Sequence, residues 1–168
     1  MIDLAPRFAK AQTSAFGLWT LNFILLRGIP FNKPHKLCIN HLSESEVHVH
    51  IPFHRKNKNH IGGLHACVLA TAAEYSTGLL LLQHLGTAQY RLIMQNLSVD
   101  YHYQGKTDGV VKYTLTASEL MNDIETQLGS ADSATRICEV GVHDVEGNKL
   151  CTAKVTWQIK PWTKVRTK

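Results

Sequence analysis

The sequence predicts an α+β protein in which a strongly curved antiparallel sheet wraps around one long central helix. The first observation is an apolar helix from Leu64 to about Gly86 with almost no polar face. The second is that residues with strand periodicity stand both before and after this helix. A helix that is apolar on nearly every side must be buried, and a sheet that curls around it does this most simply. The 168 residues, 44% of them hydrophobic, fit one globular domain.

The first predicted element is a helix over Thr13–Arg27, whose apolar positions nearly encircle it. We therefore expect this helix to pack on the rest of the protein. Gly28 and Pro30 end it, because proline disfavours helical backbone at the residue before it. The apolar stretch Ala15–Leu26 is too short to span a membrane, and no small-residue cleavage site follows it, which disfavours a signal peptide.

From residue 36 the apolar residues recur with the period of two that is typical of strands. A short first strand is predicted around 37–39 and a second over 47–53, with residues 42–46 as their connection. After the central helix, strands are predicted over 90–103, 110–116, 134–142 and 149–160, and a short helix over 118–128. Turn-forming residues occupy 105–109 and 144–148. These antiparallel strands are therefore available to surround the helix.

The central helix is long enough to be considered as a membrane span. It carries Glu74, and an ionised carboxylate in the middle of a bilayer is costly. We expect a helix buried in protein, no membrane span and a cytoplasmic location. The four cysteines form no Cys-x-x-Cys pair, so we expect them to be reduced and to behave as small apolar residues: Cys38, Cys67, Cys138 and Cys151.

The formal net charge of +5 is compatible with an anionic ligand, although solvated lysines are the commoner cause of such a value. Basic clusters lie at residues 55–58 and in the tail at 160–168. Neither cluster is long enough, or sufficiently interleaved with aromatic residues, to indicate nucleic-acid binding. We therefore expect no nucleic-acid partner.

Ten histidines suggest a metal site at first sight, in particular His48, His50 and His54 near His60 and His65. The first two alternate on a strand face that we expect to be solvated. No carboxylate or cysteine in the sequence completes a recognisable set of ligands beside them. We therefore expect no metal and no other cofactor.

The candidate chemistry lies in residues 59–74, which read NHIGGLHACVLATAAE. Asn59 stands six residues before His65, and Glu74 stands nine residues after it. In this spacing the chain resembles the hotdog-fold acyl-CoA thioesterases, in particular the phenylacetate-pathway and hydroxybenzoyl-CoA thioesterase groups. The resemblance covers about residues 35–160. It implies a hotdog domain over 35–162, preceded by a helical extension over 1–34 that some relatives share and followed by a basic tail over 163–168.

The resemblance also implies an activity, namely hydrolysis of an acyl-CoA thioester by a homodimer or a dimer of dimers. Glu74 would act as general base or nucleophile, and a backbone N–H near Ala66 would hold the developing oxyanion. Asn59 and His65 of the partner subunit would orient the water or the thioester. The candidates for substrate contact are Gly62, Gly63, Ala66, Cys67 and Thr71.

Physical chemistry gives Glu74 a rationale of its own. The residues at helical spacing around it are small, so this face has room for a ligand or for a close backbone: Cys67, Ala70, Thr71, Thr77 and Gly78. Burial on such a face would raise the pKa of Glu74 toward the range useful to a general base. The helix start near Ala66 and Cys67 presents unpaired N–H groups and a positive dipole end, which suit an oxyanion or a phosphate of coenzyme A.

Other interpretations stay open. The His-Gly-Gly of the thioesterase groups is replaced here by His65-Ala66-Cys67, and the added Cβ atoms would crowd a bulky acyl group. A non-catalytic hotdog protein that binds acyl-CoA or serves in assembly is therefore an alternative. Glu74 could be a structural carboxylate, His65 a helix cap, and Cys67 a packing residue. A hotdog dehydratase would need a carboxylate about five residues from its catalytic histidine, and His65 has none there.

Overall fold

The alternating strand pattern produces six strands, and a computed structural model describes them within residues 4–165. Their bounds are Cys38–Leu42 (β1), Glu46–Ile51 (β2), Tyr90–Tyr101 (β3), Gly109–Thr114 (β4), Ala134–Asp144 (β5) and Lys149–Pro161 (β6). They form one antiparallel sheet in the order β1-β2-β4-β5-β6-β3. The predicted class, α+β with a curved antiparallel sheet, is confirmed.

In strand β2, the apolar residues that recur at every second position are the ones that face the core. Val47, Val49 and Ile51 are fully buried, whereas the residues between them are half-buried on the opposite face. Successive side chains of a strand point to opposite faces, so one face of β2 packs on the interior. The same alternation recurs along β6, where Val155, Trp157 and Ile159 are buried.

The central helix α3, Ala66–Leu85, fills the inside of the sheet. It ends at Gly86, whose φ of 67° is a conformation that glycine adopts without strain. Among the helices of residues 4–165, α3 is the one with the length and composition to cross a bilayer, yet most of it is buried against the sheet.

Two helices precede the sheet where the sequence predicts one over residues 13–27. They are α1, Ala5–Thr13, and α2, Ala15–Gly28, followed by a 3-10 turn over Pro30–His35. Ser14 separates them because its backbone is extended and its Oγ accepts a hydrogen bond from the N–H of Gly17 at 2.9 Å. A Cβ atom at Gly17 would overlap the carbonyl oxygen of Lys10, so the missing side chain lets α1 approach α2. We call residues 4–36 the N-terminal layer.

Asn22 joins the N-terminal layer to the sheet. Its side-chain amide donates to the carbonyl of Ile39 at 2.8 Å, and the N–H of Ile39 donates to Oδ1 of Asn22 at 2.7 Å. Asn22 thus takes the place of a neighbouring strand on the outer side of β1. The opposite edge strand, β3, has no strand on its outer side within the described residues.

Helix α2 packs on the rest of the protein, as expected, but it does so through one face and leaves another exposed. Gly17, Leu21 and Leu25 are buried against the protein, but Phe16, Trp19 and Phe23 are exposed. The amphipathic helix α4, Ala117–Leu128, is capped by Thr116. In the predicted tail, a 3-10 turn spans Trp162–Lys164, and residues 166–168 lie outside the described part of the chain.

Candidate active site

Glu74 is a half-buried carboxyl group in the middle of α3. Burial raises its pKa from 4.5 to about 7, because an ionised carboxylate loses hydration inside protein. A carboxyl group with this pKa is divided between its acid and base forms near neutral pH. The environment of Glu74 is therefore the one that the sequence predicts for a general base.

Glu74 lines a pocket of about 380 Å³ between the N-terminal layer, α3, the start of β3 and the end of β6. This volume lies within the range of about 300–1,000 Å³ that is typical of small-molecule sites. Most of the lining is apolar, and the residues are Leu25, Ile29, Asn32, Glu74, Tyr75, Gly78, Leu79, Leu82, Thr87, Tyr90, Arg91, Leu92, Trp157 and Trp162. Such a cavity can hold an apolar chain next to the carboxyl group.

The small residues around Glu74 serve two different purposes. Nε1 of Trp157 donates to Oγ1 of Thr77 at 3.0 Å, and a Cβ atom at Gly78 would lie 3.0 Å from the Trp157 ring. Thr77 and Gly78 therefore allow the close approach of Trp157. The other small residues form a stripe on α3 that is exposed or half-buried, which we call the small-residue stripe: Ala66, Cys67, Ala70 and Thr71.

Arg91 is a pocket residue that the sequence analysis does not identify. Its Nη2 donates to Oε1 of Gln158 at 3.4 Å. Its Nε is buried and has no hydrogen-bond partner within residues 4–165. A cation is thus held in a largely apolar pocket, where it can meet the polar end of a ligand.

Asn59 shapes the loop that precedes α3. Its Oδ1 accepts hydrogen bonds from the N–H groups of Ile61 at 3.1 Å and Gly63 at 3.0 Å. Gly62 lies between them with a φ of 81°, which side-chain-bearing residues rarely adopt. In the described part of the chain, the amide nitrogen of Asn59 has no acceptor, so it is the part of Asn59 that can reach a ligand.

His65 caps the start of α3, one of the two interpretations that the sequence leaves open. Its Nδ1 accepts a hydrogen bond from the N–H of Cys67 at 3.1 Å. The expectation that both N–H groups at this helix start are free is therefore wrong for Cys67. The N–H of Ala66 has no acceptor among residues 4–165, so it alone remains available to an oxyanion.

Asn59 and Ala66 line a second cleft of about 320 Å³ that does not include Glu74. Its other wall is the end of β3, where the hydroxyl of Tyr101 donates to the carbonyl of Ala66 at 3.0 Å. Nine residues of helix correspond to a rise of about 14 Å between His65 and Glu74. Within one chain the structure does not bring the three predicted catalytic residues together. Their assembly across a dimer interface stays a prediction.

The two remaining candidates lie on the small-residue stripe. The hydroxyl of Thr71 donates to the carbonyl of Cys67 at 2.7 Å, a bond within the helix. Cys67 does not pack within the described chain, because its side chain is exposed. All four cysteines are free thiols, and Cys138 and Cys151 are buried, as expected for small apolar residues.

The histidines on β1 and β2 contradict the expectation of a solvated strand face without a neighbouring carboxylate. His41, Glu46 and His48 each offer a ligand atom, and these atoms lie within 4.8 Å of one another. His48 is hydrogen-bonded to Glu46 at 2.8 Å, and His50 pairs with Asp108 at 2.9 Å. A carboxylate therefore does stand beside His48 and beside His50, and these two histidines are half-buried rather than fully solvated.

The curved antiparallel sheet around one central helix is the hotdog fold, and comparison with solved structures agrees. A protein of unknown function from Pseudomonas aeruginosa, described as a probable thioesterase, has a TM-score of 0.76 and 24% identity over 83% of this chain and 93% of its own. A thioesterase from Haemophilus influenzae has a TM-score of 0.67 and 14% identity over 90% of this chain and 95% of its own. A thioesterase variant from Staphylococcus aureus has a TM-score of 0.64 and 14% identity over 79% of this chain and 99% of its own.

The family model described as domain of unknown function (DUF4442) matches residues 17–159, and the chain belongs to this family. No curated protein matches the sequence significantly. The matched range includes residues 17–28 of α2, so this part of the N-terminal layer belongs to the family as well as the hotdog sheet does.

Proposed function

We propose that this protein is a thioesterase that hydrolyses an acyl-CoA thioester, with Glu74 as the catalytic base. The observation that carries the proposal is the Glu74 carboxyl group, held in an apolar pocket with its pKa raised to about 7. The likeness of the fold to proteins described as thioesterases supports the reaction class.

The chemistry requires no group other than water. Ionised Glu74 takes a proton from a water molecule as the water oxygen bonds to the thioester carbonyl carbon. The negative charge develops on the carbonyl oxygen, where the N–H of Ala66 from a second copy of the chain can stabilise it. The carbon–sulfur bond then breaks, and the proton held by Glu74 passes to the leaving thiolate. The products are a carboxylic acid and the thiol of coenzyme A.

The site is proposed to be completed by a second copy of the chain. Within residues 4–165, β3 is a long edge strand with no neighbour on its outer side, and Ile93, Met94 and Tyr101 on it are exposed. An unpaired strand of this length is a template for pairing with another chain. In the proposed homodimer the loop with Asn59 and His65 serves the Glu74 of the partner subunit.

The test is the release of free thiol from a panel of short, long and aromatic acyl-CoA thioesters. Glu74→Gln keeps the shape but removes the base, so turnover of the best substrate should fall about a hundredfold or more. Glu139→Gln is a matched control, because Glu139 is an exposed glutamate on β5 whose one ion pair within residues 4–165 is with exposed Lys154. Equal turnover in wild type and Glu74→Gln would place the chemistry elsewhere.

A second candidate is a hotdog protein that binds acyl-CoA without hydrolysing it. The observation that favours it is the start of α3, where His65 already occupies the N–H of Cys67 and both residues after His65 carry side chains. Such a protein would bind acyl-CoA measurably by calorimetry and release no thiol. Thiol release that depends on Glu74 would exclude it.

A further inference from the structure

The outer face of α2 carries a row of exposed aromatic side chains, which we call the aromatic row: Phe16, Trp19 and Phe23. These side chains are 75%, 61% and 48% exposed. Their spacing of three and four residues puts them on one helix face. The rings stack in sequence, with centroids 5.9 Å and 5.8 Å apart. A continuous apolar surface of this kind commonly marks an interaction site.

The packing of α2 fixes the aromatic row toward the outside. Leu21 and Leu25 anchor the inner face, and the paired hydrogen bonds of Asn22 with Ile39 set the rotation of the helix. Turning the aromatic row inward would break these contacts. The row therefore needs a partner from outside the described chain if it is to leave water.

Basic side chains surround the aromatic row. Arg7 and Lys10 of α1 line the same groove as its three rings, a groove of about 450 Å³. The guanidinium of Arg27 lies 4.9 Å above the Phe23 ring. Within residues 4–165, none of these three cations forms an ion pair.

The net positive charge of the whole chain is also concentrated in the region that carries the aromatic row. Residues 1–43 contain five Lys and Arg and one acidic residue, Asp3, whereas residues 44–168 contain thirteen Lys and Arg against twelve Asp and Glu. The region that carries the aromatic row is thus predominantly cationic, and the rest is nearly neutral. A partner that complements this region must offer apolar groups to the rings and negative charge to the cations.

We propose that the aromatic row docks this protein on an anionic lipid bilayer. The three rings would enter the interface between headgroups and acyl chains, where Trp and Phe are favoured. Arg7, Lys10 and Arg27 would lie against the lipid phosphates. The 14 residues of α2 correspond to about 21 Å of helix, so it lies along the surface and does not span.

A second copy of the same chain fits this face less well. Symmetric pairing through the aromatic row would bring two predominantly cationic layers together, and like charges across an interface oppose association. Docking on a bilayer does not depend on hydrolysis. It would, however, bring a lipid surface close to the Glu74 pocket, because Leu25 of α2 and the following Ile29 line that pocket.

The test is flotation of the full chain with phosphatidylcholine vesicles prepared with and without phosphatidylglycerol. We expect binding to the anionic vesicles, weaker binding in high salt, and a blue shift of tryptophan emission as Trp19 leaves water. Trp19→Ser/Phe23→Ser should reduce the bound fraction about tenfold or more, and Arg7→Glu/Lys10→Glu should do the same.

A matched control is Ile137→Ser/Val145→Ser, which removes two similarly exposed apolar side chains from β5 and the turn after it and should leave binding unchanged. Circular dichroism and turnover of a soluble short-chain acyl-CoA check that Trp19→Ser/Phe23→Ser is folded. Vesicle binding by Glu74→Gln separates docking from the proposed chemistry, since a failure of hydrolysis would leave it intact.

Three results would overturn the proposal. The first is no binding of wild type to anionic vesicles, or equal binding to neutral ones. The second is undiminished binding by Trp19→Ser/Phe23→Ser. The third is a smaller assembly of that variant by light scattering, which would assign the aromatic row to contact with a second copy.

Discussion

Replacing Glu74 by Gln should make the folded protein more stable at alkaline pH. The pKa of Glu74 is about 7 in the folded protein and 4.5 ordinarily, because burial disfavours the ionised form. Between these two values the folded protein holds a proton that the unfolded chain has released. Stability therefore falls as pH rises through this window, since the folded state then binds more protons than the unfolded state.

The magnitude follows from the shift. A rise from 4.5 to about 7, at about 1.4 kcal/mol for each pKa unit, amounts to about 3 kcal/mol of unfolding free energy once both states are ionised. Glutamine has a similar shape and does not ionise. Glu74→Gln should therefore equal wild type in stability at about pH 4 and exceed it by about 3 kcal/mol at about pH 9.

The assay is urea unfolding of both proteins across this pH range at one fixed protein concentration, since association affects apparent stability. Subtracting the two curves removes the other titrating groups, which both proteins share. The difference in unfolding free energy between Glu139→Gln and wild type should not change with pH. If the difference in unfolding free energy between Glu74→Gln and wild type did not change with pH, Glu74 would not be desolvated. If wild type became more stable than the variant as the pH rose, a cation or hydrogen-bond donor would stabilise the carboxylate. Either result would refute the reasoning.

Three further predictions concern activity and assembly. Because ionised Glu74 is the base, kcat/KM for a thioester should rise about tenfold per pH unit below the pKa of about 7 and level off above it; a flat profile would contradict this role. Ala66→Gly/Cys67→Gly should widen the range of accepted acyl groups in the same thiol-release assay, at a cost of about 1 kcal/mol for each glycine; an unchanged range would show that these side chains do not crowd the site. Light scattering at micromolar concentration should show at least a dimer, and a monomer would rule out the shared site.

The sequence is sufficient to predict those helices and strands whose pattern of apolar residues lies within the segment itself. The period of two along β2 and the unbroken apolar character of α3 both come from burial of that segment, so each can be recognised without its neighbours. The raised pKa of Glu74 could be anticipated for the same reason. A carboxyl group within an apolar helix is buried with the helix.

Features that depend on register could not be foreseen. His41 stands opposite His48 because the pairing of β1 and β2 shifts by one residue after Ile39, and this irregularity brings Glu46 beside both. Arg91 and Trp157 reach the Glu74 pocket from two strands far along the chain. Nothing near Glu74 in the sequence indicates that these strands end there.

Two features of the N-terminal layer give no local signal in the sequence. Its cationic character comes from the absence of acidic residues over 4–43, and short basic clusters such as the one at 55–58 do not indicate it. The break at Ser14 has no strong signal either, because Thr13 and Ser14 interrupt the helical pattern without proline or glycine. Serine acts there through its cap, which depends on the approach of α1 at Gly17.

The two edges of the sheet differ in a way that limits how far this protein can assemble. At β1, Asn22 occupies the backbone groups of Ile39, so another strand finds fewer partners there. At β3 the edge is open within the described residues. A sheet with two open edges could add copies without limit and form fibres, whereas a sheet with one can join a single copy, edge to edge, and is then complete. The side chain of one asparagine thus helps to keep sheet pairing finite.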